Sequence, residues 1–184
     1  MTLVVVTKSI SKELIPRLAD FGVTDIGENR AVEGGDRVAG LVGWRKHMIG
    51  HLQTNKAARA LQWADLIHSV DRPSLVRELS RSQRKVPVFV QVNVSGEASK
   101  GGFSPEEADA AVADARKSLD VVGLMTMAPE GADARPHFRR LRELAARSGL
   151  EKLSMGMTQD FEVAVEEGAT HVRVGTAIFE GVVV

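Results

Sequence analysis

The sequence contains one short strand-like run, His171-Val172-Arg173-Val174-Gly175-Thr176, that combines valines with a single charged residue. Successive side chains of a strand point to opposite faces, so His171, Arg173 and Gly175 share one face and the valines share the other. The valine face suits packing against helices, which directs Arg173 into the interior of a barrel. A buried charge is costly without a partner. Arg173 therefore needs an acidic partner, a phosphate or a ring nitrogen, and an internal ion pair is the purely structural alternative.

Seven similar apolar runs precede this one, and helical patterns separate them. They are Leu3–Val6, Thr24–Ile26, His47–Ile49, Leu66–Val70, Val88–Val94, Val121–Met127 and Lys152–Met155. Strands that alternate with helical crossovers predict a parallel sheet, and eight of them fit a closed (β/α)8 TIM-type barrel. We expect one α/β domain over residues 1–184, with no helix after the eighth strand. An open doubly wound sheet is the alternative.

Several helices carry explicit start and stop signals. The segment Ser104-Pro105-Glu106-Glu107 reads as a capping box with proline in the first turn. Ser11 is a candidate cap for Lys12–Phe21, which ends at Gly22 and contains Pro16, so a kink is expected there. Helical spacing of apolar residues also predicts helices over Arg135–Ser148 and Phe161–Glu167.

Composition excludes several classes of protein. Lys plus Arg and Asp plus Glu are both 24, so the formal net charge is zero, which argues against nucleic-acid binding. The absence of cysteine excludes disulfides and thiol catalysis. No apolar run approaches the roughly 20 residues of a membrane helix, and the first residues lack the pattern of a signal peptide. We expect a cytoplasmic protein that contacts no membrane.

Lys8 follows the first strand and shares a face with Val4 and Val6. Active sites of such barrels lie at the carboxyl ends of the strands. Partial desolvation there would lower the pKa of the amine and make it a better Schiff-base nucleophile. The alternative is an exposed lysine that simply follows a strand.

The loops after strands seven and eight form a candidate phosphate site. They contain Ser154-Met155-Gly156-Met157-Thr158 and Gly175-Thr176, which combine hydroxyl groups with glycines that permit close backbone approach. Ordinary turn chemistry is the alternative. Asn29 either contacts a ligand or caps the next helix. His47 and His51 are four residues apart, but Gly50 between them argues against a helix that presents both, so no metal site is predicted.

In this order the motifs resemble those of the YggS/PROSC family, the pyridoxal 5′-phosphate homeostasis proteins, and the resemblance covers essentially the whole chain. The stretches that carry it are Val5-Val6-Thr7-Lys8, Ile26-Gly27-Glu28-Asn29, His47-Met48-Ile49-Gly50, Leu52-Gln53-Thr54-Asn55-Lys56, Ser69-Val70-Asp71, Gln91-Val92-Asn93, Gly123-Leu124-Met125, Leu153-Ser154-Met155-Gly156-Met157-Thr158 and Val172-Arg173-Val174-Gly175-Thr176-Ala177-Ile178-Phe179.

The resemblance implies a barrel like the N-terminal domain of alanine racemase, without that enzyme's second domain. It implies pyridoxal 5′-phosphate held as a Schiff base on Lys8, with Arg173 facing the pyridine nitrogen and Asn29 near the ring. The residues it assigns to the phosphate or elsewhere in the cofactor site are Ser154, Met157, Thr158, Gly175 and Thr176.

The role that the resemblance implies is that of a cofactor carrier or regulator without catalytic turnover. It implies pyridoxal-phosphate-dependent apoenzymes as recipients, and we expect a monomer. A pyridoxal-phosphate racemase and a Schiff-base aldolase are the alternatives. Two departures from the family pattern stand out: the usual helix before the lysine strand is expected to be missing, and Arg30 replaces the tyrosine that usually follows Gly-Glu-Asn.

Overall fold

A computed structural model describes residues 1–97 and 100–180. Its eight strands are all parallel and close into a barrel in the order of the chain, because β1 pairs with both β2 and β8. The strands are β1 Thr2–Val6, β2 Asp25–Glu28, β3 Arg45–Met48, β4 Leu66–Val70, β5 Val88–Gln91, β6 Val121–Met125, β7 Lys152–Ser154 and β8 His171–Val174. The predicted TIM-type barrel is confirmed, and the alternative of an open sheet is wrong.

A helical segment follows every strand. The α-helices are α1 Glu33–Val38, α2 Ala57–Trp63, α3 Pro73–Ser80, α4 Ala108–Ala115, α5 Arg135–Arg147, α6 Phe161–Glu166 and α7 Thr176–Phe179. Two 3-10 helices, Lys12–Phe21 and Thr54–Lys56, complete the set. The four-residue α7 corrects the expectation that no helix follows the eighth strand. No helix in the described part of the chain is long and apolar enough to cross a membrane.

The two faces of the barrel sheet carry different kinds of side chain. The outer face packs against the helices through valines and leucines, including Val172 and Val174 of β8. The inner face holds Leu66, Phe89 and Met125 together with polar rings. The Phe89 ring lies 4.6 Å from that of His68 between centroids. The alternation predicted for β8 is therefore confirmed, with the valines outside and Arg173 inside.

Pairing with neighbouring strands moves some element boundaries. β2 extends to Glu28, beyond the predicted end at Ile26, because Gly27 and Glu28 pair with His47 and Met48 of β3. A glycine followed by a charged residue reads locally as a turn, and tertiary pairing overrides that signal.

The segment Lys12–Phe21 is helical as predicted and ends at Gly22, which adopts a φ of 75°. Its whole length is 3-10 helix, and it contains Pro16, which has no backbone N–H to donate to the helix. The expected side-chain cap by Ser11 is wrong, since Ser11 makes no such bond. The capping box before α4 is confirmed by reciprocal bonds between Ser104 and Glu107.

Candidate functional site

Lys8 lies in the turn directly after β1, at the carboxyl end of the barrel. Its side chain is exposed, so the expected partial desolvation of the amine is wrong for this structure. The neighbouring strand end approaches closely, since a Cβ on Gly175 would lie 3.1 Å from the Val6 carbonyl oxygen. The ends of β1 and β8 therefore bring Lys8 and the Gly175–Thr176 turn to the same part of the rim.

A partly buried ion pair holds the turn that carries Lys8. The Arg37 guanidinium donates from Nε to Glu28 Oε1 over 2.9 Å. Its Nη2 donates to the carbonyl oxygens of Thr7 at 2.6 Å and Ile10 at 2.7 Å, the residues that bracket Lys8 and Ser9. Thr7 completes the group by donating its hydroxyl to the same Glu28 oxygen. We call Thr7, Glu28 and Arg37 the lysine-turn clamp.

Arg173 lies inside the barrel and is only 5% exposed. It donates to Ser154 Oγ over 2.6 Å and to the Thr126 carbonyl oxygen over 3.0 Å. Within residues 1–97 and 100–180 no carboxylate lies at ion-pair distance from the guanidinium, which leaves the internal ion pair of the structural alternative without support. Burial lowers the pKa of Arg173 to about 10, so it remains a cation at neutral pH.

A continuous row of hydrogen bonds runs from Arg173 to the opposite end of the barrel. Ser154 Oγ lies 2.7 Å from His68 Nδ1, and His68 Nε2 lies 2.9 Å from His47 Nδ1. His47 Nε2 lies 2.9 Å from Asp25 Oδ1 at the start of β2. We call Asp25, His47, His68, Ser154 and Arg173 the interior chain. All five residues are buried.

The loop after β7 is joined to strand β8 by a backbone hydrogen bond. Arg173 N–H donates to the Gly156 carbonyl oxygen over 2.9 Å. Gly156 has a φ of 92°, and a Cβ there would lie 2.5 Å from Ala164 Cβ, so the turn requires glycine. Thr158 is half-buried, whereas Met157 and Thr176 are exposed.

Ser154 differs from these loop residues because it is fully buried and its hydroxyl already has two partners in the interior chain. Its contact with a phosphate stays a prediction.

The two histidines considered above as metal ligands have different hydrogen-bond partners. His47 is fully buried in the interior chain. His51 is 61% exposed on the rim, where its Nδ1 lies 2.9 Å from Asp71 Oδ2. Asn29 is half-buried and lines the same surface pocket as His51, and a Cβ on Gly50 would lie 2.1 Å from the Asn29 carbonyl oxygen. Gly50 therefore permits the close approach that fixes the backbone at Asn29.

Comparison with known proteins gives one consistent answer. The family model described as "Alanine racemase, N-terminal domain" matches residues 7–182. The pyridoxal phosphate homeostasis protein of Aquifex aeolicus is 39% identical over 94% of this chain and 83% of its own length. This chain belongs to that family of pyridoxal phosphate homeostasis proteins. The membership predicted from the motifs is thereby confirmed.

Solved structures of the family share the fold. PipY of Synechococcus elongatus, determined without pyridoxal phosphate, superposes with a TM-score of 0.88 at 32% identity, covering 97% of this chain and 92% of PipY. The PipY structure with pyridoxal phosphate bound superposes with a TM-score of 0.83 at 31% identity and the same coverage.

The residues that form hydrogen bonds with Arg173 and with the turn that carries Lys8 were not identified from the sequence. His68 carried a usable signal, because it is an imidazole in the middle of the otherwise largely apolar strand Leu66–Val70. Arg37 carried none, since a basic residue in the short helix α1 reads as surface. Its contact with the Thr7 carbonyl oxygen becomes evident only in three dimensions.

Proposed function

We propose that this protein binds pyridoxal 5′-phosphate as a Schiff base on Lys8 and acts in cofactor homeostasis, taking up the reactive aldehyde and releasing it to pyridoxal-phosphate-dependent apoenzymes. The observation that carries the proposal is Arg173, a buried cation with no carboxylate at ion-pair distance among the described residues. Arg173 stands on β8, which pairs with β1, the strand that Lys8 follows. PipY binds pyridoxal phosphate in a barrel of the same shape.

The residues at the rim fit this cofactor. An exposed primary amine can attack the aldehyde carbon, forming a carbon–nitrogen double bond as water leaves. A guanidinium carries five N–H donors, of which two have the partners Ser154 and Thr126, so Arg173 keeps donors for a ring nitrogen. The phosphate would lie on the loops after β7 and β8, at Thr158, Gly175 and Thr176, with Met157 alongside.

Arg173 also favours a carrier over an enzyme. A fixed cation beside the pyridine nitrogen disfavours protonation of that nitrogen. The cofactor is then a weaker electron sink for carbanions, which amino-acid chemistry on pyridoxal phosphate requires. The Aquifex aeolicus relative is likewise named as a homeostasis protein, and we propose that this chain has no physiological turnover.

The test is a visible absorption spectrum with pyridoxal 5′-phosphate, followed by borohydride reduction and peptide mapping. We expect the reduced label on Lys8, loss of both spectrum and label in Lys8→Ala, and retention of both in Lys12→Ala. Lys12 is the matched control because it is a second exposed lysine only four residues away. A Lys8→Ala variant that keeps the same spectrum and covalent label would refute the proposal.

The homeostasis role needs a separate measurement. Loaded protein is mixed with an apoenzyme that depends on pyridoxal phosphate, and recovery of that enzyme's activity is followed with and without a scavenger of the free aldehyde. Recovery that persists in the presence of the scavenger supports direct transfer. Recovery that the scavenger abolishes would contradict the carrier role while leaving cofactor binding intact.

A further inference from the structure

The interior chain connects Arg173 to a carboxylate at the far end of the barrel through side chains that the proposed chemistry does not use. Each of its four links is between 2.6 and 2.9 Å long. Three of the links join neighbouring strands, and the link from Ser154 in β7 to His68 in β4 crosses the barrel interior. Two adjacent buried imidazoles are a costly choice for a core that needs only packing.

The residues at the two ends of the interior chain determine which atoms there donate hydrogen bonds and which accept them. Arginine can only donate hydrogen bonds, so Ser154 Oγ must accept from Arg173. A carboxylate can only accept, so His47 must donate from Nε2 to Asp25. Burial raises the pKa of Asp25, but hydrogen bonds from His47 and Thr24 outweigh that effect and lower it to about 2, so this end is ionised at neutral pH.

These ends constrain where the hydrogens lie on the two histidines in the middle of the interior chain. Burial, together with the charges of His47, Arg173 and His171, lowers the pKa of His68 well below its ordinary value, so His68 is neutral. With one ring hydrogen on each histidine, a single arrangement of hydrogens satisfies every bond. His68 donates from Nε2 to His47 Nδ1, and the Ser154 hydroxyl donates to His68 Nδ1.

We propose that His68 and, one link further, His47 are positioning residues for Arg173: they fix the Ser154 hydroxyl as a hydrogen-bond acceptor for the guanidinium and so aim its remaining N–H groups at the ring nitrogen of the cofactor. This inference rests on the proposed function, which puts that nitrogen at Arg173. Without His68, the Ser154 hydroxyl loses the acceptor that orients it, so only the bond to the Thr126 carbonyl oxygen still fixes the direction of the guanidinium.

The first test needs no variant. Nitrogen NMR of the imidazole side chains in the cofactor-free protein reports which ring nitrogen carries the hydrogen. We expect hydrogen on Nε2 and a free Nδ1 for both His47 and His68 at neutral pH. Hydrogen on Nδ1 of His68 would reverse the direction of the chain and overturn the proposal, whatever the protein binds.

The second test separates positioning from packing. Dissociation constants are measured for pyridoxal 5′-phosphate and for a carbocyclic analogue in which a C–H group replaces the ring nitrogen. His68→Phe should weaken binding of pyridoxal phosphate on the order of tenfold, the equivalent of one hydrogen bond, and leave the analogue unchanged. Equal losses for both ligands would show that His68 acts only through packing and would overturn the proposal.

His171→Phe is the matched control. His171 is a buried histidine in the same interior, 5.9 Å from His68 between ring centroids, but its Nδ1 contacts Thr170 Oγ1 instead of the chain. We expect it to change both dissociation constants by the same factor. His47→Phe should give the selective loss of His68→Phe in weaker form, and it replaces that variant if His68→Phe does not fold.

The outcomes also distinguish the two proposals. If the wild-type protein binds neither ligand, the proposed function fails, while NMR still decides the direction of the chain. If it binds both ligands but His68→Phe shows no preference between them, the positioning role fails and cofactor binding stands.

Discussion

The lysine-turn clamp makes the stability of the fold depend on Arg37. Glu28 is 4% exposed and Arg37 23% exposed, so replacing Arg37 with methionine leaves a nearly buried carboxylate without its cation. Breaking a buried pair at one partner typically costs about 3–5 kcal/mol. Partial exposure of Arg37 favours the lower end of that range, even with the bonds to Thr7 and Ile10 lost as well. We expect Arg37→Met to lower the free energy of unfolding by about 3 kcal/mol.

The assay is urea denaturation with linear extrapolation, together with titration by pyridoxal 5′-phosphate. Cofactor affinity should also fall, because a loosened turn must be ordered again when Lys8 reacts. Arg30→Met is the matched control, since Arg30 is 77% exposed and lies 3.7 Å from Glu33. Such surface pairs contribute about 1 kcal/mol at most.

The test compares the free energies of unfolding of Arg37→Met and Arg30→Met. An Arg37→Met variant that is no less stable than Arg30→Met would refute the reasoning about a buried pair. Adding Glu28→Gln to Arg37→Met should recover part of the loss, because it removes the uncompensated charge. A double variant less stable than Arg37→Met alone would contradict that cause.

Further predictions concern a buried histidine, a closely packed glycine and the proposed cofactor site. Burial, with the charges of His47 and Lys152, lowers the pKa of His171 from 6.5 to about 4. The unfolded chain therefore takes up a proton between these pH values that the folded chain does not, and the free energy of unfolding should fall by about 3 kcal/mol as the pH drops through this window. His171→Phe should flatten that part of a stability curve measured in urea. Gly50→Ala should lower the free energy of unfolding by about 1–3 kcal/mol relative to the wild type in the same assay, because its Cβ would lie 2.1 Å from the Asn29 carbonyl oxygen; an unchanged free energy of unfolding would rule out that clash. Thr176→Ala should reduce the preference for pyridoxal phosphate over pyridoxal about tenfold, and an unchanged preference would remove Thr176 from the phosphate site. Loaded protein should not racemise alanine at an enzymatic rate, because racemisation needs a base on each face of the cofactor–substrate adduct and the chain contains no tyrosine to act opposite Lys8; formation of the other enantiomer at a rate of roughly 1 s⁻¹ would reverse this expectation.

The sequence predicts the barrel well because predicted strands and helical segments alternate regularly along it. In β8 a two-residue period is enough to place Arg173 inside and Val172 and Val174 outside, and the structure has this arrangement. Local signals also predict the stop at Gly22 and the capping box at Ser104, because each depends on residues only a few positions apart.

What the sequence does not predict are the contacts across the barrel. Ser154 and His68 are 86 residues apart, and their bond exists because β4 and β7 face each other across the interior. Strand order alone does not give this pairing, since it depends on the tilt of the strands and on which layer each side chain occupies. The exposure of Lys8 has the same origin, because its environment is set by neighbouring turns and not by the valines before it.

Closure of the barrel has a consequence for how the protein behaves at high concentration. In an open sheet the outermost strands present unpaired N–H and C=O groups, which can recruit a strand from another molecule and begin aggregation. Here the first strand pairs with the last, from Thr2 with His171 to Val5 with Val174. The eight described strands therefore leave no edge on which a second chain could add.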